Sequence, residues 1–500
     1  MGLPGIINFE MKNMVNYIFN SNEIRDIESY LFAELNYQPY ELMKKAGETA
    51  FAHIIKQYPK IDDIIIFCGK GNNAGDGYVV AGCAEKLAIN TICVELYDNI
   101  SELAKKVRNQ LRNVKFIAYQ DFAFDDIAKG AIIIDAMLGI GLQGELRQPE
   151  YSVVSAVNKL DNIKVAIDIP TGVNSDTGRI ANIAFKADLT ISFIAPKFGL
   201  FMGEAKDFVG KLEIANLGVD EMILKKFANQ FRLLDFKQLY QFFPHRKTLS
   251  NKGSYGHLLL IGGFDNMPGA ILLAAEAAYR IGAGRVTIAT QSQNFATIIS
   301  RLPDVLLMDI NDISEDEQYE KQFDAIVTGP GLGRSQEALN ILKIVTGMTN
   351  NKVIDADALN LLANEKSLLP VNAILTPHVK EAARLLKIPV QDVLDNQKET
   401  VLALYKEYSS AILLKNNVSL LKLLDEKIYI SPYGNSCLAK SGTGDVLSGI
   451  IGGLLAQGLT IEVAAKLGVV IHGRVADLAI KNYNKRSILA SDLVKLLGEI

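Results

Sequence analysis

Residues Gly434 to Gly458 read GNSCLAKSGTGDVLSGIIGGLLAQG, and the second half of the chain is organised around them. At the centre, Ser441-Gly442-Thr443-Gly444-Asp445 sets small, flexible residues before an acid. Val446, Leu447, Ile450, Ile451, Leu454 and Leu455 follow at roughly helical spacing. The pattern predicts a loop feeding a helix start. Glycines there let the backbone approach a ligand closely, and the N–H groups of a first helical turn point at whatever negative charge sits before them. A phosphate is the natural guest. Asp445 falls in that turn, where the helix dipole stabilises a carboxylate, yet beside a phosphate it is an odd neighbour unless it handles a proton. Taken alone, a G-x-G-D reads more simply as a capped helix, because short glycine motifs recur by chance.

Upstream, His257 to Gly263 reads as a buried strand ending in glycines, and Pro268 opens an alanine-rich helix running to Gly282. Arg285–Ala289 and Ala325–Thr328 read as further strands, the latter ending in Gly329-Pro-Gly-Leu-Gly333. Asp355 and Asp357 fall at the end of one more strand, and Ile374-Leu-Thr-Pro-His378 ends another with an exposable imidazole. His53 and His472 are expected to be structural.

The first half alternates in the same way. Helices are predicted over Asn20–Leu35, with Asn20 and Glu23 in capping-box spacing, and over Pro39–Gln57. Asp62 to Cys68 is a buried strand, Gly69 to Gly77 (GKGNNAGDG) a glycine loop, and Tyr78 to Leu87 a helix. Strands follow at Thr91–Tyr97, Val114–Ala118, Ala131–Ala136, Lys164–Ile169, Leu189–Ile194 and Leu212–Val219. This is a doubly wound, mostly parallel sheet, and such sheets bind ligands beyond the carboxyl ends of their strands. Three polar loops lie at that edge: GKGNNAGDG, Asp135–Gly144 and Asp168–Asn174.

A chain of 500 residues exceeds what one hydrophobic core serves, so two α/β domains are expected, over residues 1–225 and 235–500, with a polar, helical segment from Asp220 to Lys252 at the junction. An apolar fraction of 49% with 22% charged residues is that of a soluble globular protein, and a net charge of −4 gives no electrostatic reason to expect nucleic acid or an anionic membrane as partner. Four cysteines without a C-x-x-C pair, and no basic-then-apolar leader in the first twenty residues, predict a cytoplasmic protein with reduced thiols. Ile450 to Val470 is the most apolar region, but Glu462, Lys466 and several glycines argue for a buried helix pair over a membrane span.

The segment 434–458, in the form GNxxxAxxGTGDVLxGIIxGLLAQG, resembles the phosphate-binding and catalytic-base motif of the ribokinase-like superfamily, specifically its NAD(P)H-hydrate dehydratase branch. That resemblance runs from about residue 240 to the C-terminus. The three loops of the first half, in their order, resemble the YjeF N-terminal or NAD(P)H-hydrate epimerase family across most of residues 20–218. The resemblances imply a Rossmann-like three-layer α/β/α sandwich followed by a ribokinase-like α/β domain. They imply that Asn72, Asn73, Ala74, Gly75 and Asp76, with Gly139, Ile140, Gly141, Leu142, Gln143, Gly144, Glu145 and Asp168, contact the hydrated nucleotide NADHX or NADPHX. Asn73, Asp135 and Thr171 would surround a potassium ion. In the second domain Ala270, Gly331, His378 and Asp445 would face the hydrated dinucleotide, while Lys415, Asn416, Asn417, Val418, Ser419 and Gly444 would face ADP or ATP, with magnesium.

The chain departs from the family patterns in places. Thr171 stands where serine is usual and keeps the hydroxyl; Ala74 replaces a glycine. Asn416 follows Lys415 where glycine is common, and Ser436-Cys437-Leu438 replaces a proline-glycine-methionine stretch.

The implied activity is repair: the first domain interconverts the R and S epimers of NADHX and NADPHX, and the second dehydrates the S form at the expense of ADP or ATP. Hydroxide is a poor leaving group and a phosphate ester a good one. Asp445 is therefore expected to deprotonate the substrate hydroxyl for attack on a phosphoryl group held by the Gly442–Gly444 amides. Asp168 is the candidate epimerase acid or base, and a homo-oligomer is expected. Two other classes stay open: a ribokinase-like small-molecule kinase, and a first domain that binds nucleotide without catalysis.

Overall fold

The computed structural model describes residues 16–142, 144–246, 248–365 and 367–500, so the N-terminal leader reading and Gln143 lie outside the described residues. The chain divides into two compact units between Phe231 and Arg232.

In the first unit β1 (Asp63–Cys68), β2 (Asn90–Glu95), β3 (Lys115–Ala118), β4 (Ile132–Ala136), β5 (Lys164–Ile167), β6 (Leu189–Phe193) and β7 (Lys211–Ala215) form one sheet in the order β3-β2-β1-β4-β5-β6-β7. Every pair is parallel. Successive residues of a strand point to opposite faces, so a parallel sheet covered on both sides needs unbroken apolar runs. β1 shows this directly: Ile64, Ile66 and Cys68 join one core, Ile65 and Phe67 the other. Helices Ser21–Ala33, Pro39–Gln57, Asn72–Lys86 and Glu102–Arg108 cover the first face through Ile27, Leu42, Ala50, Tyr78 and Ala104; Glu150–Val157 covers the second through Val153, Val154 and Val157. This is the expected three-layer sandwich. The first helix starts where predicted: the Asn20 side chain accepts from the Glu23 amide at 2.9 Å, and the Asn20 amide donates to Glu23 Oε2 at 2.8 Å.

One expectation is corrected here. Gly69–Gly77 is not a loop throughout, because the helix after β1 begins at Asn72. Gly75 and Gly77 serve packing: a Cβ on Gly75 would lie 2.4 Å from the Met43 sulfur, and one on Gly77 2.7 Å from the Ala136 Cβ. The strand order reverses between β1 and β4, which makes the ends of those strands the place where a crevice opens.

The second unit carries a ten-stranded sheet. Its strands are β8 (Phe231–Leu233), β9 (His257–Ile261), β10 (Arg285–Thr290), β11 (Leu306–Asp309), β12 (Ala325–Thr328), β13 (Asn351–Ile354), β14 (Ala373–Leu375), β15 (Ala411–Leu414), β16 (Ser419–Lys422) and β17 (Ile428–Ser431). The order is β11-β10-β9-β12-β13-β14-β15-β16-β17-β8, parallel from β11 through β15 and antiparallel from β15 to β17. The reading had no strand at β8, β11 or β15–β17. At four residues or fewer each they show no period, and none runs directly into a glycine, an Asp-x-Asp or a Pro-His of the kind by which the equally short β12, β13 and β14 are read. β8 lies inside the segment read as helical, and residues 231–233 fall in the gap between the two expected domains.

Helix Thr443–Ala456 and helix Ile461–Asn482 form the buried pair predicted from the apolar run. The first of them packs on helix Pro268–Arg280 through small residues: a Cβ on Gly449 would lie 2.1 Å from the Ala274 carbonyl oxygen. That seam explains the alanine-rich composition of 268–280. Among the described residues no helix is long and apolar enough to cross a membrane.

Candidate active sites

In the first domain Asp135 is the penultimate residue of β4 and has no exposed surface, and its Oδ1 accepts from the Met137 amide at 3.1 Å and from Thr171 Oγ1 at 2.8 Å. Its Oδ2 accepts from the Thr171 amide at 2.7 Å. Burial raises the Asp135 carboxyl to about 7 even though three hydrogen bonds oppose the shift. Asn73, on the first turn after β1, donates through Nδ2 to the Ile167 carbonyl at 3.2 Å. Its amide oxygen is buried without a hydrogen-bond partner, which is costly unless something accepts its lone pairs.

Asp168 follows β5 with φ of 66°, in the left-handed region that non-glycine residues rarely occupy. Its amide is held by the Ile191 carbonyl at 2.8 Å. A Cβ on Gly139 would be 3.1 Å from Asp168 Oδ2 and 3.9 Å from Asn73 Cγ, so the structure brings these three expected residues together. Asp76 joins them electrically: burial, then the Asp168 and Glu28 carboxylates, push its carboxyl well up. Glu28 is raised by burial in the same cluster.

The remaining expected contacts are less uniform. Asn72 accepts from Ser101 Oγ at 3.0 Å, and the Ile140 carbonyl accepts from Arg25 at 3.3 Å. Ala74 and Gly75 are buried and offer backbone only; Leu142 is half-buried; Gly141, Gly144 and Glu145 are exposed. Sequence reasoning missed Lys197, which pairs with Asp168 at 2.5 Å, and Glu28. A lysine between Pro196 and Phe198 in an apolar stretch was the available signal.

In the second domain the loop and helix start form as predicted. Gly442 caps helix Thr443–Ala456 with φ of 90°, a conformation a side chain would strain. Asp445 lies in the first turn. Burial, then the Asp355 carboxylate, raise its carboxyl to about 7, Lys415 opposing and Asp357 and Glu381 adding. Lys415 Nζ donates to Asp355 Oδ1 at 2.7 Å, and Ser448 Oγ donates to Asp355 Oδ2 at the same distance. Ser448 is one turn after Asp445, so Asp355 ties the lysine to the helix carrying the candidate base. Burial disfavours the Lys415 charge, but Asp355 and Glu381 outweigh it and raise its pKa. A Cβ on Gly444 would lie 3.2 Å from Lys415 Nζ, so these two expected nucleotide contacts are neighbours.

His378 caps helix Val379–Leu386, its Nδ1 accepting from the Lys380 and Glu381 amides at 3.0 and 3.3 Å. Burial and then Lys415 lower it to about 4, so the imidazole is neutral at physiological pH. Glu381, raised to about 7 by burial, accepts from the His378 amide at 2.8 Å. This His-x-x-Glu capping box was legible in the sequence, although the role of Glu381 was not drawn from it. Gly331 and Ala270 meet around Met267: a Cβ on Gly331 would be 2.8 Å from the Met267 carbonyl oxygen, which accepts from the Ala270 amide at 3.2 Å. Residues 415–418 form the connection of the β15–β16 hairpin. Val418 is buried there, Asn416 is half-buried, Asn417 is exposed, and Ser419 begins β16.

With this geometry in view, the chain matches the family profile described as YjeF-related protein N-terminus over residues 39–199 and that described as NAD(P)H-hydrate dehydratase over residues 258–498. It is 37% identical over 480 residues to the bifunctional NAD(P)H-hydrate repair enzyme Nnr of Coxiella burnetii, covering 95% of this chain and 97% of that one. It is 34% identical to the enzyme of the same name from Escherichia coli, covering 97% and 93%. Among solved structures, the ADP/ATP-dependent NAD(P)H-hydrate dehydratase of Bacillus subtilis, co-crystallised with ATP and Mg2+, is 30% identical with a TM-score of 0.49, covering 53% of this chain and 95% of that one. Matched along nearly its whole length in both halves, the chain belongs to the family of bifunctional NAD(P)H-hydrate repair enzymes.

Proposed function

We propose that the chain repairs hydrated NADH and NADPH in two steps, epimerising the R and S hydrates in its first domain and dehydrating the S hydrate in its second with ADP or ATP. The observation that carries the dehydratase step is Asp445. Its carboxyl is raised to about 7 in the first turn of a helix, where backbone amides favour a bound phosphate, so the group can take a proton near neutral pH. The substrate hydroxyl gives its proton to Asp445 and attacks the terminal phosphoryl group. The bond between that phosphoryl group and the rest of the nucleotide breaks as the ester forms; inorganic phosphate then leaves the ring carbon, a proton leaves the adjacent carbon, and the double bond of the dihydropyridine ring re-forms. Lys415, fixed by Asp355, supplies positive charge beside Gly444 where negative charge gathers.

Among the described residues no three His, Cys, Asp or Glu side chains are grouped as metal ligands. Magnesium would accordingly arrive with the nucleotide phosphates and take few protein ligands. In the first domain the orphaned Asn73 oxygen, the Asp135 carboxylate and the Thr171 hydroxyl fit potassium, a hard ion that takes oxygen ligands and there supplies charge to fix the loops. The free cysteines and the absence of strong charge fit a cytoplasmic enzyme, and we assign it as a homo-oligomer, which sizing in solution checks. The test of the function is product analysis with the S hydrate and ATP. Inorganic phosphate and reduced nicotinamide released in equal amounts support it; a stable phosphorylated product would make the second domain a small-molecule kinase.

A further inference from the structure

Lys197 is an ammonium with 1% of its surface exposed, in a stretch the expected machinery does not use. A lysine that deep is rare unless its charge is matched and all three of its donors are taken. Here they are: Nζ donates to Asp168 Oδ1 at 2.5 Å, to the Phe193 carbonyl at 2.7 Å and to Ser192 Oγ at 3.0 Å. The backbone around it is pinned as well. The Phe19 amide donates to the Pro196 carbonyl and the Phe198 amide to the Phe19 carbonyl, both at 2.9 Å, bracketing Lys197 in a parallel bridge.

The consequence falls on Asp168. Its Oδ1 receives Lys197 and, at longer range, Ser192 Oγ at 3.3 Å and the Phe193 amide at 3.4 Å. Oδ2 is then the oxygen that faces Gly139, in the loop expected to meet the nucleotide. One oxygen is anchored and the other is presented. The left-handed backbone of Asp168 points the same way: strain of that kind persists where the surroundings over-determine it, and Lys197 is one of the groups doing so. The cleft contains three carboxylates, those of Asp76, Asp168 and Glu28, and the buried cation goes to one of them. Asp76 and Glu28 are pushed toward their protonated forms by burial, and the Lys197 charge, bonded to Asp168 alone among the three, opposes that push without overcoming it. A pair of acids in unequal environments is how one site holds both a proton acceptor and a proton donor.

We infer that Lys197 is the positioning residue of the epimerase site: it neutralises and aims the Asp168 carboxylate so that Oδ2, across from Gly139, meets the hydroxyl-bearing ring of the hydrate. This rests on the epimerase reading of the first domain. Lys197 touches no substrate itself and acts only through Asp168.

The test measures epimerisation of the R hydrate by the full-length chain and by Lys197→Met, Asp168→Asn and the double variant, without nucleotide. Lys197→Met should lower kcat about 100-fold with KM within threefold, and the double variant should be within threefold of Asp168→Asn alone, since a residue acting through another adds nothing once that other is gone. Losses that multiply in the double variant, or a Lys197→Met chain with unchanged kcat, would overturn the inference. If Lys197→Met does not fold, Lys197→Arg decides. It keeps the charge but displaces the Oδ1 contact, and should lose at least tenfold in kcat with KM held; full activity would refute the role. A wild-type chain that does not speed epimerisation would remove the epimerase reading and this inference together.

Discussion

Replacing Asp445 by Asn keeps the size of the side chain and its place in the first helical turn but removes the proton acceptor. General-base removal costs about 10²- to 10⁴-fold in rate, or roughly 3–5 kcal/mol at 1.36 kcal/mol per tenfold. The surroundings of Asp445 add a pH signature. With the carboxyl held at about 7 by burial and by Asp355, wild-type dehydration should rise with pH through that value, falling about tenfold per unit on the acid side. The Asn variant should be slow and flat over the same range. Stability supplies an independent check with a definite sign. A carboxyl whose folded pKa lies above its unfolded value binds its proton more tightly when folded, so the wild type loses stability as pH rises from about 4 to about 7. Asp445→Asn escapes that loss, and its Tm should gain on the wild type between pH 5 and 8. The assay follows the return of reduced-nicotinamide absorbance from the S hydrate with ATP, alongside nucleotide affinity by calorimetry. Near-normal turnover, or a lost rate explained by lost nucleotide binding, would refute the assignment of Asp445 as the base.

In the first domain, Asp135→Asn should weaken epimerisation in a way that high potassium partly restores and lithium does not, whereas Asp168→Asn should leave only a small residual rate that no potassium concentration restores; identical responses would show that the two acids share one duty. Cutting the chain between Gln230 and Phe231, one residue before the boundary of the two units, keeps β8 whole with its sheet, and the two fragments should epimerise without ATP and dehydrate only the S hydrate, respectively, which separate assays on each fragment check. Gly449→Ala places a Cβ against the Ala274 backbone and should cost about 2 kcal/mol or more, while Gly347→Ala, with open space at the end of its helix, should be neutral or stabilising; urea denaturation compares them.

Long buried strands and capped helices were legible because each carries its own signal. Ile64–Cys68 is an unbroken apolar run, Asn20 and Glu23 sit at capping-box spacing, and the Gly442–Asp445 turn precedes a run of helical period. β8 and the hairpin strands β15–β17 were not, since three or four residues show no period and nothing at their ends marks them, whereas the equally short β12, β13 and β14 are marked by Gly329, Asp355 and His378. The start of the helix at Asn72 was hidden by Gly75 and Gly77, which read as flexibility but exist so that Met43 and Ala136 can come close. At the sites, Asp445, Asp135 and Asp168 were found because they end strands or begin helices. Lys197, Ser448 and Asp355 act across the fold: Asp168 lies 29 residues from Lys197, and Lys415 lies 60 from Asp355. No local pattern announces a pairing at that range.

The most direct test gives the intact chain a mixture of R and S hydrates of NADH with ATP and follows reduced nicotinamide to completion. Two active domains should recover the whole mixture at an enzyme-driven rate, with no recovery without nucleotide, and Asp168→Asn should recover only the S fraction plus slow spontaneous exchange. Full, fast recovery by Asp168→Asn, or recovery by the wild type in the absence of ADP and ATP, would contradict it.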